Sequence, residues 1–454
     1  MSSQDAARRL SQVLKLEGLE DRCLPSYTVF ELPTFPGGQI SQGQAINNAG
    51  QVAGIADLPS LNVDRAYLYD PSSGLQDLGS LNGRASEGFA LNNLGQVTGF
   101  SDVPSAFHAF LSGDGGLVDL GTPGGDFSVG YAVNDQGDVA GAATVVPGSG
   151  APFRPSLYVG GAMQDLGTFG GNSGEAHGIN SADHVVGWAQ TASGISHAFL
   201  FSLDVGLLDL GTLPGGSDSI ALAVNESDQI TGSSTVGGDA RAFLYTANAG
   251  FQDLGTLPGD GFSIGYGIND LGQAVGISGV RMQHSRAVLF SDGQVFDLND
   301  LIPPDSGVTL QRALSINDQG QIVVEGFANA GRQPHTYVLT PDETHGPQGH
   351  FTDRVPNAVR AVALGPWGHA ETGPSAAGLF SESNSGSVSS SLPARDIEAA
   401  PMVTDGTLLA EFHGRPDLVV ANSGSNDVSL DMAAAALASD VGGGLLGEFG
   451  TLLA

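Results

Sequence analysis

The stretch DLGTLPGG, residues 209–216, decides the fold, because close copies of it recur along the chain. The copies are DLGSLNG from Asp77, DLGTPGG from Asp119, DLGTFGG from Asp165 and DLGTLPG from Asp253, with DLN following at Asp297. Their aspartates are 42 to 46 residues apart. A phrase that returns at such a period is typical of repeat architectures, so it predicts a structural unit of about 44 residues.

Two further phrases follow the same period. An asparagine that precedes a turn occurs at Asn47, Asn92, Asn134, Asn180, Asn225, Asn269 and Asn317. A His/Arg-Ala-aromatic-Leu phrase starts at Arg65, His108, His197, Arg241 and Arg286, with degraded copies SLYV at 156–159, near Arg154, and HTYVL at 335–339. With ELPTFPGG at 31–38 as a degraded DLGTLPGG, each phrase occurs seven times between residues 27 and 340.

One unit is interpreted as four short strands. Examples are GYGIN 265–269, QAVGI 273–277, RAFLY 241–245 and FQDLG 251–255. The Asn-Asp-x-Gly segments favour hairpins, because Asn and Gly tolerate positive φ. Four strands per ~44 residues is the spacing of a propeller blade, whereas the coils of the rival β-solenoid are usually shorter.

The ends of the repeat region predict how the ring closes. The seventh unit has strands at 312–317, 321–327 and 335–340 but no DLG strand after them, while YTVFEL 27–32 is an outer strand without a blade. Pairing the two would remove the open edge between first and last blades. We therefore predict an all-β, seven-bladed β-propeller of four-stranded blades, closed by the N-terminal strand and followed by a disordered C-terminal tail.

Composition limits the classes of partner. The chain of 454 residues has a formal charge of −32, and Lys15 is its only lysine. Nucleic acid is not expected as a partner, because phosphate binding needs patches of Lys and Arg. Cys23 is the only cysteine, so no internal disulfide can form, and no apolar run is long enough for a membrane helix.

The three phrases resemble the bacterial HAF-type extracellular repeat, named for His-Ala-Phe. The similarity covers about residues 27–340 and rests on HAFL, DLGTLPGG and GIND-x-GQ-x-VG in fixed order. The resemblance implies an extracellular or cell-surface location, and it implies no established activity, catalytic residue or ligand.

The flanks carry two further resemblances. LEGLEDRCLPS at 16–26 is similar to the LExLEDRxLPS segment near the start of many bacterial exported proteins, and GRPDLVVANSGSNDVSL at 414–430 resembles one degenerate FG-GAP repeat without its acidic calcium loop. The interpretation gives an N-terminal targeting or processing segment at 1–25, the propeller at 26–340, a Gly/Ser/Pro/Ala-rich linker at 341–413, and the FG-GAP-like segment with its tail at 414–454.

Several patterns resemble catalytic or metal sites, and each has a structural alternative. GFSIG at 261–265 matches G-x-S-x-G, but we place Ser263 in a blade-crossing loop rather than a nucleophile elbow. The repeated Asp residues are expected to cap turns or to bond to the neighbouring blade, and the repeated His and Arg residues to pair with acidic neighbours. The Asn-Asp-x-Gly turns lack the distal Glu of a calcium loop, so we expect hairpins and no cofactor.

The connections between second and third strands are the least repetitive parts of the units. They include 57–64, 145–154, 188–196 and 278–285, and they should share one face with the DLGTLPGG crossings. Variable loops on a rigid frame often bind ligands. The candidate binding residues there are Arg154, Trp188, Arg281 and His284.

The leading functional hypothesis is a monomeric, non-catalytic binding or structural propeller outside the bacterial cell, with an extracellular protein or glycan as partner. A glycan-binding lectin is one alternative and predicts a repeated aromatic and polar site on each blade. A glycan-acting hydrolase or lyase is the other. It would need asymmetric acids or histidines at the axis, which the sequence does not reveal.

Overall fold

The computed structural model describes residues 27–342, apart from residues 83, 114, 281–283 and 329–333. Within these residues the chain forms seven antiparallel sheets of four strands each, arranged as a seven-bladed propeller. The predicted all-β class and the blade number are confirmed. The N-terminal segment 1–25, the predicted tail beyond residue 342, Cys23 and Arg281 lie outside the described residues.

Blades 1 to 3 are each built from consecutive strands, from an inner strand to an outer one. Blade 1 contains β2 (Ser41–Ile46), β3 (Val52–Leu58), β4 (Val63–Asp70) and β5 (Gly74–Asp77). Blade 2 contains β6 (Ser86–Leu91), β7 (Val97–Val103), β8 (Ala106–Gly113) and β9 (Gly116–Asp119). Blade 3 contains β10 (Ser128–Val133), β11 (Val139–Thr144), β12 (Phe153–Val159) and β13 (Ala162–Asp165).

Blades 4 to 6 follow the same order. Blade 4 contains β14 (Gly170–Ile179), β15 (Val185–Thr191), β16 (Ser196–Ser202) and β17 (Gly206–Gly211). Blade 5 contains β18 (Gly216–Val224), β19 (Ile230–Val236), β20 (Asp239–Thr246) and β21 (Gly250–Asp253). Blade 6 contains β22 (Phe262–Ile268), β23 (Ala274–Gly279), β24 (Ser285–Ser291) and β25 (Gln294–Asp297), followed by a 3-10 helix, Leu298–Leu301.

Blade 7 combines the two ends of the repeat region. It contains β26 (Val308–Ile316), β27 (Ile322–Ala328), β28 (Pro334–Pro341) and, as its outer strand, β1 (Tyr27–Glu31). The pairing of β1 with β28 runs from Tyr27 opposite Pro341 to Glu31 opposite Tyr337. The predicted closure by the N-terminal strand is therefore confirmed, and it leaves no unpaired third strand in blade 7.

The inner strands of neighbouring blades contact each other around the axis, and β2 of blade 1 contacts β26 of blade 7. The third strand places one large apolar side chain between blades. This is the aromatic position of the HAFL phrase, and it is buried in six blades as Tyr67, Phe110, Phe199, Phe243, Val288 and Tyr337. In blade 3 the buried Ser156 takes this position, and the next residue, Leu157, supplies the large apolar side chain. The core therefore lies in the spaces between blades, which explains why the aromatic residue recurs.

A glycine in the second strand lets the inner strand bulge. In blade 1 the register of β2 shifts between Gly43 and Ala45, opposite Gly54. A Cβ atom on Gly54 would overlap with the backbone carbonyl oxygen of Gln42. The V-x-G phrase of the second strand therefore follows from the bulge, since only glycine tolerates such close approach.

We call the two ends of the propeller the turn face and the loop face. The turn face carries the Asn hairpins between first and second strands. The loop face carries the connections between second and third strands together with the crossings to the next blade. Asp57, at one such connection, accepts hydrogen bonds from the backbone N–H of Gln39 at 2.9 Å and Ile40 at 2.7 Å in a crossing, as predicted for a shared face.

Candidate functional site

The repeated asparagine holds its own hairpin and joins its blade to the next. In each blade the Asn side-chain oxygen accepts a hydrogen bond from the backbone N–H four residues ahead. The Nδ2 atom donates to the backbone carbonyl of the Asn in the following blade, at 2.9–3.2 Å. Asn317 donates to Asn47 and completes the ring. The sequence predicts the hairpin role of this asparagine but not its bond to the next blade.

The repeated aspartates and basic residues form one pair within each blade. Asp119 accepts from the backbone N–H of Gly121 at 2.8 Å, which caps the turn, and its carboxylate lies 2.9 Å from Nδ1 of His108. The same arrangement recurs at Asp77, Asp165, Asp209, Asp253 and Asp297, facing Arg65, Arg154, His197, Arg241 and Arg286. In blade 7 Glu31 takes the aspartate position and lies 2.8 Å from His335.

The serine of the GFSIG segment lies in a strand, so its predicted place in a crossing loop is wrong. Ser263 is fully buried in β22. Its hydroxyl accepts from the backbone N–H of Ala242 at 3.0 Å and donates to the carbonyl of Gly255 at 2.7 Å. It therefore joins blade 6 to blade 5, and it lies on no helix, so the nucleophile-elbow geometry is absent here.

The same serine bridge recurs at Ser86, Ser128 and Ser219, and the sequence analysis missed it. Each serine is six residues before the repeated asparagine, which is the signal that could have revealed it. One of the blades without this bridge, blade 4, is informative. In blade 3 Pro155 replaces the alanine and has no N–H to donate, and Gly174 replaces the serine of blade 4. A Cβ on Gly174 would approach Cγ of Pro155 to 2.8 Å.

The candidate binding residues lie in different settings from those predicted. Arg154 and Trp188 lie within β12 and β15, so their assignment to variable loops is wrong. The repeat phrase explains Arg154, whose Nε lies 3.1 Å from Asp165. His284 is exposed in the connection before β24, and Arg281 lies outside the described residues. The structure therefore does not bring Arg154, Trp188 and His284 together as one loop cluster.

The inner strands carry the residues that do not repeat. Three residues before each repeated asparagine lie Gln44, Phe89, Tyr131, His177, Leu222, Tyr266 and Leu314. Five residues before it lie Gln42, Glu87, Val129, Glu175, Ile220, Ile264 and Arg312. These positions lie on the inner strands, and their residue types differ from blade to blade. The acids and the histidine among these inner-strand residues, Glu87, Glu175 and His177, were not singled out from the sequence.

Aromatic rings connect these inner positions across blades 2, 3 and 4. The ring of Phe89 lies 5.8 Å from that of Tyr131, and Tyr131 lies 5.0 Å from the imidazole of His177. A branch through Phe100 reaches Phe107, at centroid separations of 5.8 and 5.2 Å. Phe107 in turn contacts Phe127 and Phe153 of blade 3. A row of ring contacts therefore links the inner strands of blades 2 to 4 with residues near the loop face.

Charged groups accompany this aromatic row. Nε2 of His177 lies 3.2 Å from Glu175 on the same strand, and His177 is largely buried. Trp188 is opposite Glu175 in the pairing of β14 with β15. In blade 7 the guanidinium of Arg312 lies 5.6 Å from the centre of the Tyr266 ring and 3.6 Å from Glu325. The inner strands thus combine rings with both signs of charge.

Glu87 is the most perturbed carboxyl group of this region. It is buried in β6, and burial, followed by the nearby charges of Asp64 and Asp102, raises its pKa from 4.5 to about 8. Burial also raises the pKa of Asp64, with a further contribution from Asp57. Burial raises the pKa of Asp102 as well, although the Arg84 guanidinium at 3.7 Å opposes that rise. Glu87 is therefore protonated at neutral pH in the free protein.

Among residues 27–342, as far as they are described, no group of three or more His, Cys, Asp or Glu residues could hold a metal ion. The acids beside the repeated asparagines bind backbone groups of neighbouring blades instead. Asp135, Asp270 and Asp318 accept from the N–H groups of Asn93, Glu226 and Asp270, respectively. A search of the described helices likewise finds none that is long and apolar enough to cross a membrane.

Comparisons with known proteins return structural likenesses alone. No family model and no curated protein matches the chain. The β-propeller domain of the Trilobed protease from Pyrococcus furiosus aligns with 57% of this chain and 82% of its own, at 11% identity and a TM-score of 0.41. Catalytically inactive virginiamycin B lyase from Staphylococcus aureus aligns with 70% of this chain and 100% of its own, at 9% identity and a TM-score of 0.44.

A crystal structure of puromycin hydrolase aligns with 68% of this chain and 53% of its own, at 12% identity and a TM-score of 0.47. These similarities are too weak to support any conclusion about the activity of this chain. The fold class of this chain is a seven-bladed, all-β propeller. Its own features are the hydrogen bonds that join the blades into a ring and the residues of the inner strands.

Proposed function

We propose that this chain is a non-catalytic binding propeller of the bacterial cell exterior. The observation that carries the proposal is the contrast between repeated and unrepeated positions. The repeated Asn, Asp and Ser residues hold turns and blades together. The inner-strand residues, among them Glu87, Tyr131, His177 and Arg312, differ from blade to blade. A purely structural ring gains nothing from such variation, whereas an asymmetric ligand requires it.

The location outside the cell is supported by the HAF-type repeat and by the LExLEDRxLPS-like segment at residues 16–26. The charge of −32, with no lysine beyond Lys15, also suits a soluble surface protein. Protease treatment of intact cells should remove the protein from the surface. Recovery of the native protein only from the cytoplasmic fraction would contradict this part of the proposal.

The lectin alternative predicts a repeated aromatic and polar site on each blade, and the inner positions do not follow that pattern. Blade 1 has Gln44 and Ile55 where blade 2 has Phe89 and Phe100. A single asymmetric site that extends over blades 2 to 4 fits these residues better than seven equivalent sites do.

A glycan-acting hydrolase or lyase is the second candidate, and one observation favours it. Glu87 is a buried carboxyl whose pKa is raised to about 8, as a general acid requires, and the carboxyl groups of Asp64 and Asp102 are close enough to influence it. Turnover of a glycan that is lost in Glu87→Gln would support this candidate over a binding role.

One experiment separates these readings. The full chain is applied to a glycan array and to an array of bacterial surface proteins and peptides, and bound glycans are analysed for cleavage. Trp188→Ala should weaken binding while the thermal midpoint changes little. Leu208→Ala is the control, because Leu208 is an exposed apolar residue on β17 of the same blade. If neither array binds the chain, or if Leu208→Ala weakens binding equally, the proposed site is wrong.

A further inference from the structure

Three carboxyl groups lie on strands of blades 1 and 2 near the loop face, and we call this acidic region, defined by Asp64, Glu87 and Asp102, the cleft between blades 1 and 2. Asp64 begins the third strand of blade 1, Glu87 lies on the inner strand of blade 2, and Asp102 is near the loop-face end of β7. The charges of Asp64 and Asp102 both act on Glu87. The cleft therefore combines acids from three strands that are far apart in the sequence.

Glu87 is only 5% exposed, and its Oε2 atom has no hydrogen-bond partner among the described residues. A buried polar atom without a partner is costly, at about 1–3 kcal/mol, and such atoms are rare in native proteins. The unpaired oxygen is therefore available to accept a hydrogen bond from a ligand. An ionised Glu87 would lie near the negative charges of Asp64 and Asp102. A ligand that binds Glu87 in its ionised form should therefore be positively charged.

The cations already present in the cleft are occupied. Arg65 lies 3.9 Å from Asp77 of its own blade and also donates through Nη1 to the backbone carbonyl of Arg84. Arg84 lies 3.7 Å from Asp102. Asp57 binds the backbone N–H groups of Gln39 and Ile40 and is the further acid that faces Asp64. Both arginines therefore have partners of their own, and we assign the compensation of a charge on Glu87 to a group from outside the chain.

Aromatic rings adjoin the carboxyl group. Glu87 is directly opposite Phe100 in the pairing of β6 with β7, which places both side chains on one face of the sheet. Phe89 and Phe107 extend the aromatic row from Phe100, at centroid separations of 5.8 and 5.2 Å. Carboxylates beside aromatic faces recognise organic cations, whose delocalised charge stacks on rings and is weakly hydrated.

We propose that the cleft between blades 1 and 2 binds the guanidinium group of an arginine side chain in a peptide partner, held by Glu87, Asp64 and Asp102 beside the ring of Phe100. A metal ion is disfavoured, because the described residues contain no group of acids close enough to hold one. The planar guanidinium carries five N–H donors and can serve separated carboxylates at once. The inference rests on the binding role proposed above and names its ligand chemistry.

The test is calorimetric titration of the full chain with the peptide acetyl-Gly-Arg-Gly-amide. The citrulline peptide is the matched ligand control, because citrulline has the same shape without the charge. The lysine peptide tests whether a point charge suffices. We expect the arginine peptide to bind. The citrulline peptide should bind at least about tenfold more weakly, which corresponds to a difference of about 1.4 kcal/mol in binding free energy.

Two protein variants sharpen the test. Glu87→Gln keeps the size of the side chain and should weaken arginine binding by about 30-fold or more, as loss of a buried charge partner does. Asp239→Asn removes one exposed carboxylate from the loop-face end of blade 5 and should leave binding unchanged. If the two variants weakened binding equally, general attraction to an acidic protein would explain the result and would overturn the proposal.

A proton measurement gives an independent readout. Because Glu87 is protonated in the free protein and must ionise against the guanidinium, binding at pH 7 should release about one proton, measured in two buffers of different ionisation enthalpy. No proton release, or equal binding of the arginine and citrulline peptides, would refute the proposal. If the arrays still bind the chain while the arginine peptide does not, this inference fails and the binding function stands.

Discussion

Ser263 illustrates how one residue type serves a repeated structural need. Its hydroxyl links the third strand of blade 5, the crossing after β21 and the inner strand of blade 6 with two hydrogen bonds. Between blades 3 and 4, Gly174 replaces the serine and Pro155 replaces the alanine. A serine there would find no N–H donor, because the proline nitrogen carries no hydrogen. A motif that resembles a catalytic elbow is here part of the frame.

Ser263→Ala should therefore reduce stability by about 1–3 kcal/mol, because the N–H of Ala242 and the carbonyl of Gly255 would be buried without partners. Chemical unfolding followed by Trp fluorescence measures the loss. Ser73→Ala is the control, since Ser73 is exposed and donates only through its backbone N–H. Labelling of Ser263 by a fluorophosphonate probe in the folded protein would show that it acts as a nucleophile after all.

Glu87 predicts a specific dependence of stability on pH. Its folded pKa of about 8 is above the ordinary value of 4.5, so the folded protein binds more protons than the unfolded chain between these two values. The resulting stability is fully present below about pH 4.5 and is lost as the pH rises through about 8. Glu87→Gln should thus equal the wild type near pH 4.5 and exceed it by on the order of a few kcal/mol above pH 8.

Urea unfolding at several pH values between 4.5 and 9 checks this prediction. Glu226→Gln is the control, because Glu226 is exposed on the turn face. A constant difference between Glu87→Gln and the wild type at all pH values would contradict it. The same variant is used in the arginine-binding test, and its stability at high pH would exclude misfolding as the cause of lost binding.

At the scale of elements, closure of blade 7 is the feature with the greatest consequence. β1 supplies the outer strand that blade 7 lacks, and it adds a His335–Glu31 pair at the position of the repeated His–Asp pairs. Tyr27 is buried in the apolar cluster that also contains Leu310, Tyr337 and Leu339. Leu32, which directly follows β1, packs in another cluster with Val52 of blade 1. The strand therefore joins the last blade to the first.

Deletion of residues 26–33 should destabilise the whole propeller, because the exposure of Tyr27 and Leu32 alone costs roughly 3–6 kcal/mol. Calorimetry should show a lower midpoint for the entire transition. Hydrogen exchange should increase in blades 1 and 7 together. Deletion of residues 2–25 is the control and should leave the midpoint unchanged. Faster exchange confined to β28 would mean that β1 only protects one edge.

At the scale of the whole molecule, the ring of seven asparagines makes the blades interdependent. Asn225 is buried and bonds to Ser227, Gln229 and, across the blade boundary, the carbonyl of Asn269. Asn225→Ala should cost about 1–3 kcal/mol in the global unfolding transition. Ser227→Ala, an exposed position in the same turn, is the control. If hydrogen exchange showed a loss of protection in the 225–229 hairpin alone, the hydrogen bonds of the asparagine ring would be energetically independent of one another.

Limited proteolysis tests the propeller as one cooperative unit. Proteases should remove the N-terminal 25 residues and the chain after about residue 341, and leave a resistant fragment between them. The apolar clusters between adjacent blades and the closed asparagine ring are the physical reasons for this resistance. Cleavage distributed through the repeats would contradict it.

The sequence by itself determined the blade number, the strand order and the closing strand. Each of these features depends on short phrases, such as an Asn hairpin or an Asp-capped turn, whose local chemistry can be recognised in the sequence at every recurrence. In addition, each blade contacts only its neighbours, so the order of the phrases gives the order of the blades. Only the tertiary structure decided which unrepeated residues meet. Phe89, Tyr131 and His177 lie 42 to 46 residues apart and come into contact because the ring brings equivalent positions to one axis. The environment of Glu87 likewise depends on acids from neighbouring strands, and no local phrase encodes that burial.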